Sequence, residues 1–340
     1  MSVHGRELEI MKKTKIVLIA LALLIVIGGT GTFIHFKNKF MAAPPNELTL
    51  SETGEPFEFV WHGRNINGEI EPHFAMLVPV TIPGIDHKFY MQFDTGAHST
   101  VLDYKAVQSI NEKFGPVFQV SREEDTAVVT DVALKVGSVS LQAGKMYFRS
   151  MGTEIDWSNP PQAIKIGTVG ADFMEHHVLT IDYANQQITL SDSIATDKIA
   201  ENAFSPFTFE GRKVFLSAKL NDENVSLWFD SGSSAFEMIV DESTFEMLAS
   251  PDASRKTYTG DSWGTGITVH NQAATGEFRF GPTSVPLTYV TYIEWPNKLQ
   301  TWIMKASNVG GDLGGMTGNK LFLGKKLVLD TPNLRYAVIP

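Results

Sequence analysis

The sequence predicts an all-β fold with two barrel-like lobes, and three observations lead to that prediction. Short strands with alternating apolar side chains, separated by turns rich in Gly, Pro and Asn, run through the chain after residue 55. The later half repeats the motifs of the earlier half in the same order, which indicates an internal duplication. The chain has 340 residues, 43% of them hydrophobic, which is enough for two lobes of ordinary size.

The most informative repeat is a hairpin that ends in a short acidic motif. In the earlier half, two apolar strands within residues 77–93 lead into Asp94-Thr95-Gly96. In the later half, two strands within residues 214–229 lead into Asp230-Ser231-Gly232. Side chains alternate between apolar and polar in both hairpins, so each is expected to bury one face.

Other repeated motifs follow these hairpins with similar spacing. The gap from the motif aspartate to a tryptophan is 63 residues in the earlier half, at Trp157, and 65 in the later half, at Trp295. The remaining pairs are Leu134-Lys135-Val136-Gly137 with Phe278-Arg279-Phe280-Gly281, Thr168-Val169-Gly170 with Met316-Thr317-Gly318, and Ile181-Asp182-Tyr183 with Leu329-Asp330-Thr331. The repeat predicts lobes over residues 55–192 and 205–340, joined by an interlobe linker over residues 193–204.

Few segments have a helical pattern. We expect one short helix near residues 104–113 and another over residues 242–249. The second would follow Asp241, whose carboxylate can cap the first turn.

The N-terminal region contains an apolar run over residues 16–36 without Asp, Glu, Lys or Arg, which is long enough for a transmembrane helix. Basic residues are frequent before it, so residues 1–15 are expected to be a cytoplasmic tail. Residues 37–54 are expected to be a linker that leads to lobes outside the cytoplasm, at the cell surface or in the periplasm. The alternative is a cleaved signal peptide ending near Met41-Ala42-Ala43, which would make the protein secreted.

Composition excludes several classes of function. The net charge is −10 and there is no basic stripe with interleaved aromatic residues, so no nucleic acid partner is expected. The chain has no cysteine, which excludes disulfides, thiolate nucleophiles and cysteine-based zinc sites. No nucleotide-binding fingerprint is present, and His176-His177 lacks the spacing of a metal-binding motif. We therefore expect no cofactor and no metal.

The two acidic motifs carry a family resemblance. Phe93-Asp94-Thr95-Gly96-Ala97 and Phe229-Asp230-Ser231-Gly232-Ser233 resemble the paired Asp-Thr/Ser-Gly signatures of aspartic peptidases. The segment Val169-Gly170-Ala171-Asp172-Phe173-Met174 resembles retropepsins, whereas a single two-lobed chain resembles pepsins. The resemblance implies an acid-protease-like fold, a polypeptide substrate and a monomeric catalytic domain with Asp94 and Asp230 as the catalytic residues.

The chemistry of such a site explains the aspartates. Two adjacent carboxyl groups cannot easily both ionise, so Asp94 and Asp230 are expected to share a proton. The ionised group then acts as general base on a bound water, and the protonated group donates toward the substrate carbonyl.

The residues after each aspartate have supporting roles in this hypothesis. The Thr95 and Ser231 hydroxyls are expected to hydrogen-bond across the two lobes. Gly96 and Gly232 allow the backbone to approach the carboxylates without a clashing Cβ. Ser233 can donate to one carboxylate, whereas the alanine at the matching position of the earlier half cannot.

A flap that covers the cleft is expected in the later half. Tyr258 lies on a predicted strand, and Trp263 and Gly264 lie at a predicted hairpin tip. The alternative for Trp263 is an ordinary exposed aromatic residue. In the earlier half, residues 123–126 contain neither a glycine nor a tyrosine, so no flap is visible there.

Several alternatives to the aspartic peptidase hypothesis remain. A catalytically silent protein of the same fold, which binds peptides or acts as a scaffold, would keep all these motifs. Gly260-Asp261-Ser262-Trp263-Gly264 matches a serine-hydrolase elbow, but a turn and strand follow it instead of the required helix. Asp182 and Asp330 are expected at strand ends with a turn role. Trp157 and Trp295 either line the cleft or pack within their lobes.

Overall fold

Strands dominate the described part of the chain, so the all-β prediction is confirmed. The structure, a computed structural model, describes residues 43–123, 126–149, 152–194, 199–262, 264–296 and 313–340. Within it, residues 45–340 form one compact unit. The predicted tail and anchor, residues 37–42 of the predicted linker, and Trp263 lie outside the described residues. None of the helices among the described residues combines the length and apolar character needed to cross a membrane.

The strands of the earlier half arise where apolar and polar side chains alternate. They are β1 (Leu48–Ser51), β2 (Phe57–Glu58), β3 (Val60–Ile66), β4 (Glu69–Thr81), β5 (Phe89–Phe93), β6 (Val101–Asp103), β7 (Gln119–Glu123), β8 (Thr126–Val136), β9 (Val139–Arg149), β10 (Lys165–Val169), β11 (Val178–Asp182) and β12 (Gln187–Ser191).

The strands of the later half follow the same pattern. They are β13 (Phe204–Glu210), β14 (Lys213–Leu220), β15 (Glu223–Phe229), β16 (Ile239–Val240), β17 (Lys256–Ser262), β18 (Thr265–Phe280), β19 (Thr283–Glu294), β20 (Leu313–Thr317), β21 (Lys326–Asp330) and β22 (Arg335–Ile339).

Both predicted helices are present: α1 (Tyr104–Phe114) and α2 (Glu242–Leu248). The α2 helix begins where expected, because the Asp241 carboxylate accepts hydrogen bonds from the N–H groups of its first turn. Short 3-10 helices at Ala171–Met174 and Asn319–Phe322 follow β10 and β20.

The strands form two sheets. The first has nine strands in the order β1-β9-β6-β10-β5-β4-β8-β7, with β3 paired to β4. The second has thirteen, in the order β17-β18-β19-β16-β20-β15-β14-β13-β22-β21-β11-β12-β2. Three strands of the earlier half, β2, β11 and β12, therefore belong to the sheet of the later half. The junction is an antiparallel pair in which Ile181 of β11 lies opposite Leu327 of β21.

Two phenylalanines fix the ends of the strands that lead into the acidic motifs. Phe93 ends β5 and packs edge-to-face on Phe173, with ring centroids 6.2 Å apart. Phe229 ends β15 and packs in the same way on Phe322, at 5.6 Å. All four rings are buried, and burial of each stabilises the fold by about 2–3 kcal/mol. The two motifs are thus held on equivalent, well-packed supports.

Candidate active site

Each acidic motif lies in a loop between two strands that both pair with a third. In the earlier half, β10 runs parallel to β5 and antiparallel to β6, and the Asp94 loop connects β5 to β6. In the later half, β20 runs parallel to β15 and antiparallel to β16, and the Asp230 loop connects β15 to β16. The Asp94 N–H donates to the Val169 carbonyl at 3.0 Å, and the Asp230 N–H donates to the Thr317 carbonyl at 2.9 Å. The central strand therefore holds each aspartate by its backbone.

The residues after the aspartates join the two loops by reciprocal hydrogen bonds, as predicted. The Thr95 N–H donates to Ser231 Oγ at 2.9 Å, and the Ser231 N–H donates to Thr95 Oγ1 at 2.9 Å. The Thr95 hydroxyl donates to the Phe229 carbonyl at 3.1 Å, and the Ser231 hydroxyl donates to the Phe93 carbonyl at 3.0 Å. Thr95 and Ser231 are buried, so loss of one hydroxyl leaves unpaired polar groups at a cost of about 1–3 kcal/mol each.

The two motif glycines bring the carboxyl groups together. The Gly96 N–H donates to Asp94 Oδ1 at 3.0 Å, and the Gly232 N–H donates to Asp230 Oδ1 at 2.8 Å. A Cβ on Gly96 would overlap the Asp230 carboxylate, and a Cβ on Gly232 would overlap the Asp94 carboxylate. Each carboxyl group therefore lies against the backbone of the other loop, and only glycine leaves room for it.

The electrostatic environments of the two carboxyl groups differ. Burial, the neighbouring Asp230 charge and a hydrogen bond between the two groups raise the pKa of Asp94 to about 8. Asp230 accepts a hydrogen bond from Ser233 Oγ at 2.9 Å, as predicted, and such a bond favours an ionised carboxylate. At the matching position, Ala97 offers only its backbone N–H, at 3.2 Å from Asp94 Oδ1. This geometry favours a proton on Asp94.

A cleft of about 720 Å³ opens above the dyad. Its volume lies within the range of roughly 300–1,000 Å³ that is typical of ligand sites. Tyr258 lines it, and burial and the charge of Glu71 raise the pKa of this tyrosine to about 12. The phenol therefore remains a hydrogen-bond donor at neutral pH. Gly264 lies in the turn between β17 and β18, where its N–H donates to Asp261 Oδ1 at 3.0 Å.

A second hairpin, which the sequence interpretation missed, reaches the cleft from the earlier half. It is the β3–β4 hairpin, whose Arg64 and Phe74 line the cleft together with the dyad. Its tip is Asn67-Gly68, with φ angles of 52° and 91°. An Asn-Gly pair between alternating strands is a strong hairpin signal and could have revealed this element. The β7–β8 hairpin, which contains residues 123–126, contributes no lining residue among those described.

Salt bridges connect the β3–β4 hairpin to the later half. Glu71 Oε2 lies 2.7 Å from Lys320 Nζ, and both side chains are partly buried. Glu69 Oε2 lies 2.7 Å from Lys256 Nζ, and both of these side chains are exposed. Hairpins from both halves therefore border the cleft.

The two repeated tryptophans lie in different environments, and the second pair of aspartates lies at strand ends. Trp295 lines the cleft, whereas Trp157 packs on Phe114 and donates its Nε1–H to the Ser109 carbonyl. Asp182 and Asp330 end β11 and β21 and accept hydrogen bonds from Asn185 and Asn333, which confirms their turn role.

Comparisons with protein-family models and with curated protein sequences find no match. Among the described residues, no group of three or more His, Asp and Glu side chains could hold a metal ion.

Proposed function

We propose that this chain is an aspartic endopeptidase that hydrolyses peptide bonds with a water activated between Asp94 and Asp230. One observation carries the proposal: the buried carboxyl group of Asp94 and the half-buried carboxyl group of Asp230 lie side by side at the base of a cleft, on loops joined by reciprocal hydrogen bonds. A pair of ordinary turns would not need this arrangement, because a second carboxyl group held against a buried one destabilises a fold.

The proposed mechanism follows from the environments of the two groups. Asp230, ionised beside Ser233, removes a proton from the water, whose oxygen attacks the substrate carbonyl carbon. Asp94 gives its proton to the carbonyl oxygen, which produces a neutral tetrahedral intermediate. Asp230 then passes its proton to the leaving nitrogen while Asp94 recovers a proton from a hydroxyl of the intermediate. Both carboxyl groups return to their starting states, and no side chain forms a covalent bond.

We also propose an acid-protease-like fold with two lobes, residues 55–192 and 205–340, that arose by duplication. The equivalent three-strand supports, 3-10 helices and hydrogen bonds at the two aspartates support it. The anchor over residues 16–36 and the placement of the lobes outside the cytoplasm remain predictions from sequence. Mapping of cleavage at residues 41–45 in cell fractions distinguishes an anchored form from a secreted one.

A peptide-library digest tests the proposed function. Wild-type protein, Asp94→Asn and Asp230→Asn are incubated with the library, and mass spectrometry identifies the products. We expect cleavage by wild type only, and inhibition by a statine-type compound that mimics the tetrahedral intermediate.

Two outcomes count against the peptidase. If wild type cuts nothing between pH 3 and pH 8, the alternative of a silent peptide-binding protein is favoured. If either variant keeps full activity, water activation between the two carboxyl groups is wrong.

A further inference from the structure

We infer that Lys165, which lies beside Arg149, forms a subsite that binds a carboxylate of the polypeptide substrate. The inference rests on the proposed function, since it assigns a substrate preference to the same cleft. Both side chains line the cleft on the wall that belongs to the earlier half, together with Asp94.

A buried aspartate holds the two cations in place. Asp103 ends β6 directly opposite Arg149 of β9, and its side chain is 1% exposed. Arg149 Nε donates to Asp103 Oδ1 at 3.2 Å. Lys165 Nζ lies 3.7 Å from Asp103 Oδ2, which is too long for a hydrogen bond. Asp103 Oδ2 accepts no hydrogen bond within the described part of the chain. One carboxylate thus faces two cations. Because an ammonium has three donors, Lys165 keeps donors for another acceptor besides Asp103.

The position of Lys165 suits contact with a bound peptide. Lys165 begins β10, the strand that also holds the Asp94 backbone through Val169. Its side chain is 33% exposed, so the ammonium is partly withdrawn from water yet open to the cleft. Burial and the charge of Arg149 lower the pKa of Lys165, while the charges of Asp103 and Asp94 act in the opposite direction. A substrate carboxylate would stabilise the protonated amine and replace the hydration that burial has removed.

The charge of the cleft contrasts with that of the chain. The whole chain has ten more acidic than basic side chains. The described residues that line the cleft include three cations, Lys165, Arg149 and Arg64, beside Asp261 and the dyad. Three cations on one side of the cleft of an acidic protein favour substrates that present a carboxylate to that side.

The test separates binding from cleavage. The Asp94→Asn variant, with and without Lys165→Gln, is presented with a peptide library in which Glu and Gln are exchanged at each position. One series has amidated C termini, so that only side chains carry a carboxylate, and a second series has free C termini. Wild type and Lys165→Gln are tested for cleavage of the same peptides. Lys88→Gln is the matched control, because Lys88 is an exposed cation of the same lobe that lies outside the cleft.

We expect Asp94→Asn to bind peptides with the carboxylate about tenfold more tightly than their neutral partners. Lys165→Gln should abolish that ratio while neutral peptides bind as before, and Lys88→Gln should preserve it. If amidated peptides show this difference in affinity, the bound carboxylate belongs to a side chain. If only peptides with free C termini show it, the bound carboxylate is that of the chain end. Either result supports the subsite. Equal dissociation constants for both peptide types, or no binding of either, overturns it. A preserved binding ratio with no cleavage by wild type keeps the subsite and refutes the peptidase.

Discussion

The environments of the two carboxyl groups differ most at the fourth position of each motif. This residue is Ala97 in the Asp94 loop and Ser233 in the Asp230 loop. Because the pKa of Asp94 is raised to about 8, its proton is retained at neutral pH and lost above about pH 8. Loss of that proton removes the donor to the substrate carbonyl. We therefore predict that kcat/KM remains high at neutral pH and falls as the pH rises through about 8, measured on a peptide cleaved by wild type.

The same difference can be tested by substitution. Ala97→Ser would place a hydroxyl near Asp94, and a hydrogen bond to the ionised form lowers the pKa of a carboxyl group. The alkaline limb of the profile should then move down by about one pH unit. Ala200→Ser, an exposed position, is the matched control and should leave the profile unchanged. An alkaline limb that stays near pH 8 in Ala97→Ser would show that the proton is held elsewhere.

The motif glycines give a second prediction at this scale. Gly96→Ala and Gly232→Ala would each drive a Cβ into the opposite carboxylate, so one loop must shift. We expect each to reduce kcat by more than about 100-fold, since small misplacement of catalytic groups has effects of that size. Gly144→Ala is the control, because nothing lies within 4 Å of a Cβ at Gly144. Activity near that of wild type in Gly96→Ala would contradict the close approach of the two loops.

At the scale of elements, the β3–β4 hairpin crosses from its own half to the later half. The partly buried Glu71–Lys320 pair holds it there, whereas the Glu69–Lys256 pair is exposed. Glu71→Gln should loosen the hairpin over the cleft and raise KM about threefold to tenfold with a smaller change in kcat. Glu69→Gln should change KM less than about twofold, because exposed ion pairs contribute little. Equal effects of the two substitutions would mean that the hairpin does not cover bound peptide.

Elements with strong local patterns could be predicted from sequence. Two strands are expected within residues 77–93, where apolar and polar side chains alternate, and β5 (Phe89–Phe93) is the second of them. The contact of Thr95 with Ser231 was also predictable, because the two motifs encode equivalent loops. Long-range placement was not predictable. The hairpin partners Glu71 and Lys320 are 249 residues apart, and no local pattern links them.

In the candidate site, the cluster of Asp103, Arg149 and Lys165 could not be predicted from sequence either. Asp103, Arg149 and Lys165 each lie at the end of a different strand, and the pairing of β6 with β9 and β10 brings them together. None of the three belongs to a recognisable motif. The sequence could therefore predict the dyad but not the charge of the wall beside it.

For the molecule as a whole, the sheet that contains strands of both halves determines how the protein unfolds. The earlier-half strands β11 and β12 pair onto β21, and Leu179, Ile181, Leu327 and Leu329 at this junction are buried. Either half alone would expose an unpaired sheet edge and this apolar surface. We therefore predict that the full chain unfolds in one cooperative transition, with coincident denaturant curves from far-ultraviolet circular dichroism and tryptophan fluorescence. Residues 55–192 and 205–340 produced separately should be aggregated or lack a cooperative transition. Two well-separated transitions in the full chain would instead mean that each half is stable without the shared sheet, and that the dyad forms only when two independent domains dock.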